Sequence, residues 1–249
     1  MIRTIILLLF FIIFFILTTP LLIIEWFIGK KDPKKARLRT AARVKWGLTV
    51  ATKLAGIKLT VKGVENVPTD RGILFVGNHQ SFFDIIATYS TLPVATGFVA
   101  KQSIAKVPFL STYMRRIRCL FLNRENLKEG AKTILQAAEY VKDGTAIFIY
   151  PEGTRNKSKD ETALLPFHGG SFKIAQKSKC PIVPVAITGT AEVFENHMPF
   201  VKAHAVTIEY GTPLSYAEME PEVRKNVGEY YQNLIGEMVK KNHDEAENK

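Results

Sequence analysis

The chain has 249 residues, 47% of them hydrophobic, and a formal net charge of +11. That length can bury a sizeable core in one large domain or two small ones, and the apolar fraction excludes global disorder. The charge points to a polyanionic partner: nucleic acid, an anionic lipid surface or a phosphorylated substrate. Cys119 and Cys180 are far apart, so they imply neither a disulfide framework nor a thiolate metal site, and a reducing compartment is expected.

Ile5 to Leu17 is unbroken apolar sequence; Thr18, Thr19 and Pro20 interrupt it, and Leu21 to Ile24 resume it before Glu25 and Trp26. As a helix these 20 residues would measure about 30 Å, one hydrocarbon thickness. A cleaved signal peptide would need a small-x-small site, but the first alanine is Ala36. A core helix apolar on every side would need a shell of protein around it. The segment is therefore expected to insert in a membrane and to stay on the mature chain. Pro20 lacks an amide proton and disfavours helical geometry at Thr19, so a kinked span and a turn within one leaflet both remain open. The block that follows (Lys30, Lys31, Lys34, Lys35, Arg37, Arg39, Arg43 and Lys45, against Asp32) places the rest of the chain on the cytoplasmic side of an inner or other membrane. It also assigns much of the net charge to lipid, leaving no need for nucleic acid.

Further along, Arg37–Leu54 reads as an amphipathic helix linking anchor to globular part. Strands are predicted at Leu59–Val64, Gly72–Val76, Ala95–Ala100, Cys119–Leu122, Thr145–Tyr150 and Ile182–Thr188, with an alternating edge strand at His204–Tyr210. Helices are predicted at Phe82–Tyr89, irregularly over Ser103–Arg116, at Leu127–Val141, at Ser171–Lys177 and at Pro221–Lys241. Residues 151 to 169 read as a loop. Apolar strands alternating with helices mean an α/β fold: a single domain with a mostly parallel central sheet flanked by helices. The expected organisation is a membrane-anchoring region over 1–55, the α/β domain over 56–241 and a polar, frayed tail over 242–249.

Four stretches place polar residues just past apolar strands, where open α/β sheets bind ligands. In Asn78-His79-Gln80-Ser81-Phe82-Phe83-Asp84 the spacing lets Asp84 fix the His79 tautomer, so that His79 can take a proton from a hydroxyl. Equally, Ser81 and Asp84 form a capping box that would simply start a helix. Phe121-Leu122-Asn123-Arg124 and Tyr150-Pro151-Glu152-Gly153-Thr154-Arg155-Asn156 carry arginines and a glycine suited to phosphate, or merely solvated charges. Val183-Pro184-Val185-Ala186-Ile187-Thr188-Gly189 is a strand and its exit. Nucleotide-binding glycine loops, a GxSxG elbow and HExxH are missing, and His79, His168, His197, His204 and His243 do not cluster, so no metal site is supported.

With these four stretches in this order, the sequence resembles the 1-acyl-glycerol-3-phosphate acyltransferases, the lysophosphatidic acid branch of the glycerolipid acyltransferases, over roughly residues 60 to 210. The resemblance implies a glycerol-3-phosphate acyltransferase-like fold, with His79 as general base and Asp84 as its orienting partner. It implies Arg124, Glu152, Gly153 and Arg155, with Thr154 between them, in acceptor phosphate binding and site integrity. Pro184 falls in the last block, and Lys101 matches a lysine ahead of the arginine block. Leu110-Ser111 and Phe167-His168-Gly169-Gly170 depart from the family pattern and bear on acceptor and acyl-chain preference.

The implied reaction transfers an acyl chain from acyl-CoA or acyl-carrier protein to the 2-hydroxyl of lysophosphatidic acid, without cofactor or metal, at a phospholipid membrane. An apolar tunnel lined from the region between Phe82 and Phe109 is expected to receive acyl chain. The alternatives are another acceptor such as glycerol 3-phosphate or a different lysophospholipid, a lipid ester hydrolase, and a non-catalytic phospholipid-binding protein.

Overall fold

A computed structural model describes residues 1–248. In chain order its elements are α1 (Ile2–Thr18), α2 (Leu21–Lys31), α3 (Pro33–Leu54), β1 (Lys58–Lys62), β2 (Leu74–Gly77), α4 (Phe82–Thr91), β3 (Thr96–Lys101), α5 (Leu110–Arg116), β4 (Leu120–Leu122), α6 (Leu127–Lys142), β5 (Ala146–Ile149), α7 (Lys173–Ser178), β6 (Pro181–Thr188), α8 (Thr190–Val193), β7 (Ala205–Tyr210), β8 (Leu214–Ser215), α9 (Pro221–Lys225) and α10 (Val227–Glu247).

The strands form one sheet in the order β1-β7-β6-β2-β5-β3-β4, with β8 also pairing β6. From β6 through β2, β5 and β3 to β4 every pairing is parallel. β7 runs antiparallel to β6, and β1 is parallel to β7. The period-2 pleat sends Phe75, Phe98 and Phe148 to one face, where their rings stack (Phe98 and Phe148 lie 4.9 Å apart at 2°) beneath α3 and α4. It sends Leu74, Val76, Ile147 and Ile149 to the other, under α6, α7 and α10. Both faces are therefore covered, which is why the central strands read as continuous apolar runs.

Three expectations need correction. β7 is an interior strand, bonded to β1 on one side and β6 on the other. Its alternation reports that one face is less covered, not that one edge is free. The last helix is broken at Asn226, and α10 runs on to Glu247, through what reads as a frayed tail. His243 Nδ1 lies 2.8 Å from Glu161 and Lys62 Nζ 2.6 Å from Glu245, so that segment is tied to the domain.

The N-terminal segment is docked as well as apolar. Among the described residues no single helix is long and apolar enough to cross a membrane; α1 and α2 together form a pair bent by 49° at Thr19-Pro20. One stripe of α1 packs on the domain. The Phe14 ring takes the space a side chain at Gly47 would fill and stacks on Trp46, Leu7 joins the core, and the Tyr113 hydroxyl donates to Thr18 Oγ1 at 2.7 Å. The opposite stripe, with Leu8, Ile12 and Ile16, is exposed. The basic block is partly spent internally. Glu25, just past the apolar run, is fully buried and accepts from Arg39 at 3.1 Å and Arg43 at 2.9 Å. Lys45 caps the Leu92 carbonyl at 2.6 Å. Lys30, Lys31, Lys34 and Lys35 remain exposed.

Candidate active site

β6, β2 and β5 are adjacent and parallel, so their carboxyl ends deliver three loops to one place. Asn78, leaving β2, makes two bonds to the backbone of Ile187 in β6, with its side-chain amide donating at 2.8 Å and its oxygen accepting at 2.9 Å. This locks the chain before His79. The His79 amide donates to Glu152 Oε1 at 2.6 Å, and its carbonyl accepts from the Asn156 amide at 2.7 Å. The loop after β5 thus holds the His79 backbone from both sides.

The His79 ring lies against Tyr150, with centroids 4.2 Å apart and planes at 16°. Its Nδ1 is 2.8 Å from Asp84 Oδ2. Asp84 is 1% exposed and takes three further donors: the Gln80 and Ser81 amides at 2.7 and 2.8 Å on Oδ2, and the Thr190 hydroxyl on Oδ1. A carboxylate so supplied is an acceptor only, so Nδ1 carries the proton and Nε2 presents its lone pair. The Ser81–Asp84 capping box is present too. The helix-starting and histidine-orienting readings are not rivals here, because the carboxylate has acceptor sites for both.

Glu152 is 3% exposed, and its second oxygen accepts from the Leu165 amide at 3.0 Å. Burial pushes its carboxyl up to about 7, against the pull of the two amide donors. Gly153 closes the turn with φ +72, and a side chain there would meet the His168 ring at 3.2 Å. Thr154 is exposed. Arg155 lies with its guanidinium 3.8 Å over the Phe82 ring and donates to Glu195 Oε1 at 2.8 Å, so it is paired with a carboxylate and not a free cation.

Lys101 ends β3 and Arg124 follows β4, at the same carboxyl edge but two and three strands away from β2. At roughly 4.8 Å per strand these exits lie about 10 and 14 Å along the sheet from that of β2. The structure therefore groups His79, Asp84, Glu152, Gly153 and Arg155 closely, and sets Lys101 and Arg124 apart. Both are exposed; partial burial lowers the Arg124 pKa, and Arg124 has no carboxylate partner among the described residues.

Phe82 and Phe109, the expected bounds of a tunnel, are both exposed. Of two cavities, one of about 370 Å³ lies elsewhere, beside Phe172 and Tyr216; the other, of about 340 Å³, takes Gln102 and Ala105 from that region, but Arg115, Thr133, Gln136 and Tyr140 also line it, so it is not an apolar tunnel. Among the described residues no group of His, Cys, Asp or Glu is placed to hold a metal ion.

Sequence reasoning missed Thr190 and Glu195 as parts of the site, and it placed Tyr150 in the third stretch without a role. Thr190 stands one residue beyond the fourth stretch and Tyr150 ends a predicted strand, so strand exits were the available signal. Glu195 carries none.

A buried Asp–His pair at the switch of a mainly parallel sheet, seated by a second polar loop, defines an α/β enzyme with a poised proton acceptor. The profile of the family described as Acyltransferase matches residues 58–188, and the chain belongs to that family of O-acyltransferases. The chain is 28% identical to the 1-acyl-sn-glycerol-3-phosphate acyltransferase of Borreliella burgdorferi, over 72% of this chain and 71% of that one. It is 29% identical to the protein of the same name from Saccharomyces cerevisiae, over 75% of this chain and 60% of the yeast protein. Among solved structures it is similar to the 1-acyl-sn-glycerophosphate acyltransferase PlsC of Thermotoga maritima, with a TM-score of 0.74 and 25% identity, covering 96% and 97% of the two chains.

Proposed function

We propose that this enzyme transfers an acyl chain from acyl-CoA or acyl-carrier protein to the sn-2 hydroxyl of lysophosphatidic acid, giving phosphatidic acid. The observation that carries the reading is the His79–Asp84 pair, with Nδ1 anchored at 2.8 Å and Nε2 left for a substrate. The names of the matched relatives support the acceptor.

In this reaction His79 Nε2 takes the proton of the 2-hydroxyl as its oxygen attacks the thioester carbonyl. The tetrahedral intermediate collapses by breaking the carbon–sulfur bond, and the proton on His79 passes to the departing thiolate. No covalent acyl-enzyme is needed, and we assign no cofactor or metal to the step. Asp84 stabilises the imidazolium that forms, and Thr190 holds Asp84 from its far oxygen. Glu152 and Gly153 shape the loop that seats His79, and Arg155, beside Thr154, binds the acceptor phosphate. Lys101 and Arg124 offer further cations along the edge, at the distance an extended substrate would reach. Labelled acyl-CoA with lysophosphatidic acid tests the reading: the proposal requires labelled phosphatidic acid. Release of free fatty acid would mean a hydrolase, acylation of a different acceptor alone would move the substrate assignment, and no product would leave a binding protein.

We further propose that the exposed stripe of α1 enters one leaflet of a membrane, with Lys30, Lys31, Lys34 and Lys35 at an anionic cytoplasmic surface. Each such charge contributes about 1 kcal/mol near that surface. Lifting an acyl chain into water costs about 0.8 kcal/mol per methylene, so attachment spares the enzyme that extraction. Deleting the segment would also strip packing from Tyr113 and α3, so a surface change is the cleaner test. Changing Leu8, Ile12 and Ile16 together to serine should abolish sedimentation with anionic vesicles and reduce turnover of long-chain substrate on them. Activity on a short-chain soluble substrate should stay near wild type. Unchanged vesicle binding would rule out this stripe.

A further inference from the structure

Arg155 and Glu195 make the least evenly satisfied ion pair at the site. Glu195 Oε1 takes two donors, Arg155 Nη1 at 2.8 Å and the Phe82 amide at 2.9 Å. Its Oε2 is buried with no hydrogen-bond partner. A carboxylate matched to a guanidinium usually takes the fork with both oxygens. Here one oxygen does all the accepting, and the other loses its hydration without replacement. Both side chains keep some access to solvent, 33% for Arg155 and 16% for Glu195. Glu195 also stands on a three-residue 3-10 turn just past the short helix α8.

We propose that Glu195 is a resident anion in the phosphate seat at Arg155, and that the acceptor binds by exchange: its phosphate displaces the Glu195 carboxylate from Arg155 and the Phe82 amide. The inference rests on the reading of Arg155 as the cation for the acceptor phosphate, and adds to it a basis for headgroup selection. A phosphate monoester brings about −1.5 to −2 charges and three terminal oxygens. It offers more charge and more acceptors than the carboxylate it replaces. A phosphodiester headgroup brings one negative charge, the same as Glu195, and gains nothing by the exchange. The pair therefore admits monoesters such as lysophosphatidic acid and holds out diesters such as lysophosphatidylcholine. A rejected headgroup meets a like charge already in place, which is selection by repulsion as well as by attraction.

Glu195→Gln tests this on the full-length protein, because it removes the charge and keeps the size. KM for lysophosphatidic acid should fall about fivefold, with kcat changed by less than about threefold, as expected for releasing a partly exposed ion pair. The preference in kcat/KM for lysophosphatidic acid over lysophosphatidylcholine should drop about tenfold. Inorganic phosphate should become a stronger competitive inhibitor by a similar factor. Glu192→Gln, which alters a neighbouring exposed carboxylate paired with His197, should change none of these. If Glu195→Gln raises KM, or leaves the headgroup preference and phosphate inhibition as they were, Glu195 is a fixed clamp on Arg155 and the exchange is wrong. Arg155→Ala separates the two layers. An unchanged acceptor KM there overturns the phosphate reading itself, whereas a raised KM beside an unresponsive Glu195→Gln overturns only the exchange. Should Glu195→Gln fail to fold, Glu195→Asp, whose shorter side chain draws the carboxylate back from Arg155, must move KM and headgroup preference in the same directions.

Discussion

Replacing His79 by alanine should lower kcat for lysophosphatidic acid acylation about a thousandfold, within the range of 10² to 10⁴ that a positioned general base contributes. The loss should be kinetic and not structural. The His79 backbone is held by Glu152 and Asn156 whatever its side chain, and Asp84 keeps its bonds to Gln80, Ser81 and Thr190. Thermal denaturation followed by circular dichroism should therefore show a melting temperature close to wild type, while single-turnover assays show the chemical step slowed. Acceptor KM should change little, because Arg155 and Glu195 are untouched. Turnover within about threefold of wild type would remove His79 from the mechanism altogether, since a general base contributes far more than that.

Glu152→Gln should have the next largest effect, and on two observables. The glutamate gives each of its oxygens to one amide, His79 and Leu165. Glutamine keeps one acceptor and turns an NH2 donor toward the other amide, so one buried N–H loses its partner at a cost of about 1–3 kcal/mol. The loop seating His79 shifts, and a displacement of about 1 Å is enough to cost roughly 10²-fold in rate.

The second observable is the pH dependence of stability. The carboxyl is raised from an ordinary 4.5 to about 7 by burial, so the folded protein holds this proton more tightly than the unfolded chain does. Its contribution to stability is fully present below about pH 4.5 and is lost as pH rises through about 7, to a total of about 3 kcal/mol. Denaturant titrations of wild type and Glu152→Gln across pH 4.5 to 7 should show the wild type losing up to about 1.4 kcal/mol per pH unit relative to the variant. Every other titrating group is common to both proteins and cancels in the difference. Parallel curves would mean that Glu152 is ionised at ordinary carboxylate pH and that its burial is not what shapes it.

Much of the architecture follows from local pattern. Short apolar runs such as Leu74-Phe75-Val76 and Ala146-Ile147-Phe148-Ile149 become central strands because both faces are covered. α6 follows from its 3.6-residue stripe and its Asn126 cap, whose side chain accepts from Lys128 and Glu129. His79 and Asp84 meet because a loop residue and a first-turn residue five apart are neighbours in any strand-to-helix turn of this kind. Local pattern misleads where it reports only one kind of burial. β7 alternates although both its edges are bonded, and the all-round apolar pattern of α1 gives no sign that one narrow stripe of it, Leu7, Phe14 and Thr18, is buried against the domain while most of the rest stays exposed.

The amino-acid sequence by itself determined the alternating α/β order, the placing of the polar stretches just past strands, the break at Pro20 and the spacing that lets His79 and Asp84 meet. Each depends on residues close together in the chain, where backbone period and turn chemistry leave few choices. Only the tertiary structure decided that Glu152, 73 residues away, seats the His79 amide, that Thr190, 106 residues away, completes Asp84, and that Glu195, 40 residues from Arg155, occupies its guanidinium. These depend on which strands become neighbours, and the order β6-β2-β5 is set by the packing of two covered sheet faces, which no local period records. The same packing turned Glu25 inward onto Arg39 and Arg43, while the lysines after it stay exposed.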